Sequence, residues 1–165
     1  MNSKFLAIYD EYYDSIYRYI RGRTGSQWDA DDIVSEIFRK AFEAYRPAIW
    51  NPKAWLFAIA RNTLTDHYRK NQQEMVPLEE AFCGEEDAPI EGLVKKEELN
   101  CLRRALSRLE EDEMDLIALR YFSNLKYEEI QQILCKKSGV LRVNAGRIVK
   151  KLKSMVTTCM EGYYE

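Results

Sequence analysis

Apolar residues recur every three to four positions along most of the chain, with one long interruption. Phe5, Ile8, Tyr9, Tyr12, Ile16, Tyr19 and Ile20 fall at helical spacing, which predicts a first helix over about residues 4–23. Gly22, Thr24 and Gly25 supply its stop signal. A second helix is expected from Asp29, with Asp31 and Asp32 in the first turn, where the helix dipole favours acids. Its apolar stripe is Ile33, Val34, Ile37, Phe38, Ala41, Phe42 and Tyr45, and Asp32, Glu36, Arg39, Lys40 and Glu43 lie on the other side. Asn51 followed by Pro52 marks a third start, an N-cap before a proline at the first helical position. That helix runs to about residue 70. Trp55, Leu56, Ile59 and Leu64 point inward, and Arg61, Asn62, Thr65, Asp66 and Arg69 share its polar side.

The periodicity fails over residues 71–96, where Pro77, Gly84, Pro89 and Gly92 stand among acids. This composition suits a flexible linker. Periodicity resumes near Lys95 with Leu99, Leu102, Leu106 and Leu109. Residues 110–119 begin a helix with acids first, Ser123 and Asn124 turn the chain, and residues 127–134 form a short helix with Ile130 and Ile133 inside. Residues 135–138 make a tight turn, and a basic helix follows from Gly139 to about Met155. The reading is an all-α chain of two small helical domains, residues 1–72 and 97–160, joined by an acidic linker, residues 73–96.

Bulk composition agrees. The chain has 165 residues, 46% of them apolar, with seven Gly and four Pro, which favours helical cores in one or two small domains. It holds no apolar run long enough for a membrane span. Its acidic N-terminus is unlike a secretory signal. Cys83, Cys101, Cys135 and Cys159 are far apart in sequence and read as reduced thiols of a cytoplasmic protein. The net charge of −2 conceals segregation. Residues 74–98 carry nine acids against two lysines, and residues 136–153 carry seven Lys/Arg and no acid. Blocks of opposite sign suggest a nucleic-acid face beside an acidic connector.

Enzymatic signals are missing from the sequence. His67 is the sole histidine and sits among polar residues. No phosphate loop, paired-carboxylate motif or metal cluster is present, so no catalytic residue, metal ligand or cofactor is expected. DNA chemistry is better represented. Two helices around a tight turn, the second strongly cationic, are what a helix-turn-helix sets into a groove. In the first domain, Trp50, Lys53, Arg61, Asn62 and Arg69, with Arg46 and Ile49 nearby, mix cations, an amide and an aromatic. That mixture suits a splayed single strand. Asp32 and Glu36 lie one turn apart on an exposed face. Taken alone, they read more simply as solvated charge.

These stretches also resemble a family. Residues 29–43, DADDIVSEIFRKAFE, look like the core-polymerase-binding helix of sigma-70 family factors. Residues 51–62, NPKAWLFAIARN, resemble the following helix, which meets the −10 promoter element. LRYF at 119–122, YEEI at 127–130 and GVLRVNAGR at 139–147 resemble the helix-turn-helix that reads the −35 element. The brevity is similar to the extracytoplasmic-function group. The resemblance implies a promoter-directing subunit, not itself an enzyme. Asp32 and Glu36 would then meet the β′ clamp helices of core polymerase, and the second domain the β flap. Trp50, Lys53, Arg61, Asn62 and Arg69 would serve the −10 element. Lys136, Lys137, Ser138, Arg142, Asn144, Arg147, Lys150 and Lys151 would serve the −35 element, with Arg142 placed at a base edge, Ser138 capping the helix and the lysines on phosphates. An anti-sigma partner is implied too. Three positions depart from the family pattern: Pro47 to Trp50 replace a polar, Gly-rich loop, Lys137 stands where Ser is frequent, and Gly146 where an aromatic or His is frequent. The alternative is a stand-alone helix-turn-helix regulator of duplex operators, which leaves the acidic face at 29–45 without a purpose.

Overall fold

The computed structural model describes residues 2–70 and 91–163, and among them every regular element is helical. The helices are α1 (Ser3–Thr24), α2 (Gln27–Ala44), α3 (Pro52–Lys70), α4 (Glu91–Ser107), α5 (Glu111–Ile117), α6 (Tyr127–Leu134) and α7 (Ser138–Tyr163). A π-helical turn, Ala118–Phe122, continues α5.

The caps explain the first three helices. Asn2 accepts the Lys4 N–H at 3.0 Å and opens α1. Gly25 closes it with a φ of 68°, a left-handed cap that glycine takes without a Cβ penalty. Gly22 does not help to end the helix, as the sequence suggested; it lies inside α1. A Cβ there would meet Phe122 Cδ2 of the second unit at 2.3 Å, so close approach accounts for the residue. Ser26 caps α2 through the Asp29 N–H, so the helix begins at Gln27 and Asp29 is the acid of its first turn. Asn51 accepts the Ala54 N–H at 3.1 Å ahead of Pro52, as the pair predicted.

Ile16, Ile20, Ile37, Leu56, Phe57 and Leu64 form the buried junction of α1, α2 and α3. Each such side chain contributes about 1.5–3 kcal/mol by leaving water. Phe42 and Leu99, expected on buried stripes, are instead 53% and 48% exposed. Phe42 sits near the end of α2, where the Phe5 ring covers one edge at 5.3 Å.

In the second unit α4 packs along α7, and α5 and α6 pack on α7 as well. Helix α4 starts at Glu91, inside the stretch read as linker. Residues 71–90, with Cys83, lie outside the described residues. The π turn is closed by the Ser123 N–H to the Ala118 carbonyl at 3.0 Å. The tight turn before α7 places Cys135 in the left-handed region at φ 56°. The expectation of reduced thiols fails for one pair. Cys101 on α4 and Cys159 on α7 form a disulfide with a Cα–Cα separation of 5.7 Å, and Cys135 is a free, exposed thiol. Distance in sequence hid the pair, because α4 and α7 run side by side only in the folded chain.

Candidate nucleic-acid interface

Helix α2 carries the acidic face. Asp32 is exposed, but the Glu36 carboxylate is gripped by Arg39 at 2.6 and 2.9 Å. Arg39 also donates to Glu43 at 2.8 Å. The hydrogen bond from Arg39 holds Glu36 below the ordinary carboxylate value. Asp32 is therefore the freer acid of the two. Trp28, which the sequence reading passed over, is 83% exposed one turn before Asp32. Its signal was an aromatic beside a helix start, outside any apolar stripe.

The loop before α3 leaves Trp50 98% exposed. Arg46 is occupied by the carbonyl of Tyr45 at 2.7 Å and Ile49 is half-buried. Trp55 packs at the edge of the core with its ring 6.4 Å from that of Tyr45. On α3, Asn62 and Arg69 are exposed. Lys53 and Arg61 are not open in this way. Lys53 is ion-paired with Glu129 of α6, and Arg61 Nε donates to Asp115 of α5 at 2.6 Å. Burial would lower the Arg61 pKa, but the Asp115 carboxylate outweighs it and the guanidinium is held above its ordinary value. Neither carboxylate was foreseen, since nothing local in sequence links them to α3.

Helices α6 and α7 make the helix-turn-helix. Lys136, Lys137, Arg142, Arg147 and Lys150 are exposed, and Asn144 is half-buried. Ser138 does not stand before the helix as its cap; it is the first helical residue, with its N–H donated to Gln131 Oε1 at 3.0 Å. Arg142 is thus in the second turn rather than the first. Its guanidinium lies 5.3 Å from the Tyr127 ring centroid, and that of Arg120 lies 4.9 Å from the same ring. An arginine on an aromatic is oriented as well as attracted. Arg147 lies about 140° around α7 from Arg142 and lines a shallow concavity with Glu110, Asp112, Glu113 and Lys136. Lys151 is tied to Glu113 at 3.2 Å. Tyr127 was read from sequence as a helix start and as part of the YEEI stretch, not as a partner of Arg120 and Arg142.

Comparison with known proteins adds to this geometry. Residues 8–74 match the family description Sigma-70 region 2, and residues 99–152 match Sigma-70, region 4. The ECF RNA polymerase sigma factor BldN of Streptomyces coelicolor is 28% identical over 92% of this chain, and the chain spans 60% of that protein's length. The RNA polymerase sigma factor SigZ of Bacillus subtilis is 29% identical over 92% of this chain and 86% of its own. Among solved structures, CnrH in complex with the cytosolic domain of CnrY superimposes with a TM-score of 0.67 at 20% identity, over 95% of this chain and 90% of that one. The sigma factor RpoE of Bartonella quintana, with the anti-sigma factor NepR, gives 0.59 at 20% identity over 93% and 94%. Two sigma-70 regions in order, each on the helical unit built for it, place the chain in a family. It belongs to the sigma-70 family of RNA polymerase sigma factors, in the extracytoplasmic-function group.

Proposed function

We propose that this chain binds core RNA polymerase and directs it to promoters, with residues 1–72 serving core binding and the −10 element and residues 97–160 the −35 element. The observation that carries the reading is the pairing of two units. One presents an acidic, Trp28-bearing face on α2, and the other a helix-turn-helix that exposes Lys136 and Lys137 in its turn and Arg142, Arg147 and Lys150 on α7. Asp32 and Glu36 are assigned to the β′ clamp helices, with Asp32 the principal contact because Arg39 already holds Glu36. The second unit is assigned to the β flap.

On the DNA, Asn62 reads a base edge near −10, Trp50 supports an extruded base, and Lys53, Arg61 and Arg69 meet the strand backbone. Arg142 reads a base edge at −35. Lys136, Lys137, Lys150 and Lys151 neutralise phosphates, with Ser138, Asn144 and Arg147 beside them. The chain supplies recognition, and bond chemistry belongs to the polymerase. We assign it to the cytoplasm with that enzyme, and an anti-sigma protein is its expected restraint.

Size-exclusion chromatography with purified core polymerase tests the reading. Stoichiometric co-elution is expected. Failure to co-elute, together with tight binding of duplex DNA by a dimer of this chain alone, would instead support the stand-alone regulator.

A further inference from the structure

Helix α7 buries one side and offers the other. Leu141, Ala145, Ile148 and Leu152 form its buried row. At about 100° per residue, Val143 lies nearly opposite that row, in the middle of the outward face. It is 54% exposed, and Val140, one turn earlier, is 50% exposed. Among the described residues, neither valine belongs to the core or packs against it. Their surroundings are cationic. Arg142 and Arg147 stand on either flank of Val143, and Lys150 follows two turns on, all exposed.

The face around Val143 is also cleared. Gly139 and Gly146 lie one turn before it and one turn after it, and a Cβ at either would meet no atom within 4 Å. Packing within the chain therefore does not require glycine at these places, and glycine disfavours the helix that holds Gly146. What the two glycines leave is close approach. A side chain as short as valine reaches a surface that longer neighbours would hold away.

The cations draw this face to a groove lined with phosphates. They serve phosphates and base edges there, and a valine can serve neither. The apolar group that the major groove presents is the C5-methyl of thymine, which helps to tell a T·A pair from the others. We infer that Val143, with Val140 beside it, is a specificity-determining residue that packs on the C5-methyl of a thymine in the upstream promoter element. Gly139 and Gly146 set the depth of approach. Arginine favours the guanine edge, so the two kinds of side chain divide the element between G·C and A·T pairs. The inference rests on the −35 role proposed for α7.

The test uses core polymerase loaded with the full chain. Duplexes are selected from a random-sequence library, and each thymine of the upstream element, on either strand, is then replaced singly by deoxyuridine. That exchange keeps base pairing and the O4 acceptor and removes only the methyl group. At one thymine or more, the wild-type chain is expected to lose roughly fourfold in affinity, the worth of one buried methyl. Val143→Ser should bind the thymine duplex more weakly by a similar factor and bind the deoxyuridine duplex no more weakly still. Val143 is exposed, so this variant keeps the core intact. Gly146→Leu fills open space and favours the helix, so loss of fold cannot explain its effect. It should also weaken binding of the thymine duplex and abolish the discrimination.

An upstream element without thymine, or deoxyuridine tolerated at every position, overturns the inference. So does discrimination that survives in Val143→Ser, since a change in DNA shape would then explain it. Wild-type affinity and discrimination in Gly146→Leu overturns it too, because clearance would not matter. Failure of the −35 reading looks different: selection would return no upstream element at all.

Discussion

Arg142 and Lys150 each carry one exposed positive charge on α7, yet they are placed for different work. Eight residues separate them, about 12 Å along the axis. Arg142 lies near the N-terminal end, where a recognition helix meets bases, and the Tyr127 ring steadies it. Arg142→Ala is expected to cost roughly 1–3 kcal/mol on cognate −35 duplex and much less on a scrambled one. Lys150→Ala should weaken both alike and flatten the salt slope by about one unit. Lys150 makes a cleaner probe than Lys151, which is tied to Glu113. Titration of both variants on both duplexes at several salt concentrations separates them, and equal losses for Arg142→Ala would reduce α7 to a non-specific basic helix. On α2, Trp28 and Asp32 share a face one turn apart. Trp28→Ala with Asp32→Lys should weaken core-polymerase binding at least as much as Asp32→Lys with Glu36→Lys, with the far-UV helix signal unchanged. Core affinity equal to wild type in both pairs would refute the assignment.

Several of the described helices owe their ends to particular residues, and those ends were the readable part. Asn51 with Pro52 and the stop at Gly25 could be seen in sequence because capping is local chemistry. What α4 and α7 do to each other could not, since Cys101 and Cys159 are 58 positions apart and only packing brings them together. A loop of that length ties down the unfolded chain by about 4 kcal/mol in the chain-entropy treatment. Reduction should therefore lower the stability of the second unit by up to that amount, read as a shifted urea midpoint with and without dithiothreitol. An identical midpoint would argue against the bond. The helix starts also carry a pH dependence. The Glu110 N–H, and then Lys151, hold Glu113 below its ordinary value of 4.5. Burial would raise Glu129, but Lys53 and the Lys126 N–H outweigh it and hold it lower as well. A carboxylate depressed in the folded state contributes fully above its unfolded pKa and loses that contribution as pH falls through the folded value. The urea midpoint should thus decline on acidification below about pH 4.5, and a midpoint that rises there would contradict these pairings.

At the scale of the whole molecule, both helical units were legible because amphipathic spacing and charge segregation are written along the chain. The contact between the units was not. Tyr19, Arg61 and Asp115 are distant in sequence, and Gly22 looked like a helix stop until Phe122 was seen against it. The same docking explains why Lys53 and Arg61, expected on an open face, are paired while Asn62 and Arg69 are exposed. Joined together, the two units let this one chain give core polymerase its choice of promoter. Transcription of fragmented genomic DNA by purified core polymerase with and without the chain, with start sites mapped by sequencing, tests it most directly. New start sites are expected only when the chain is present, each preceded by a common pair of sequence elements near −10 and −35. Start sites that are unchanged by the chain, or that share no such pair, would contradict it.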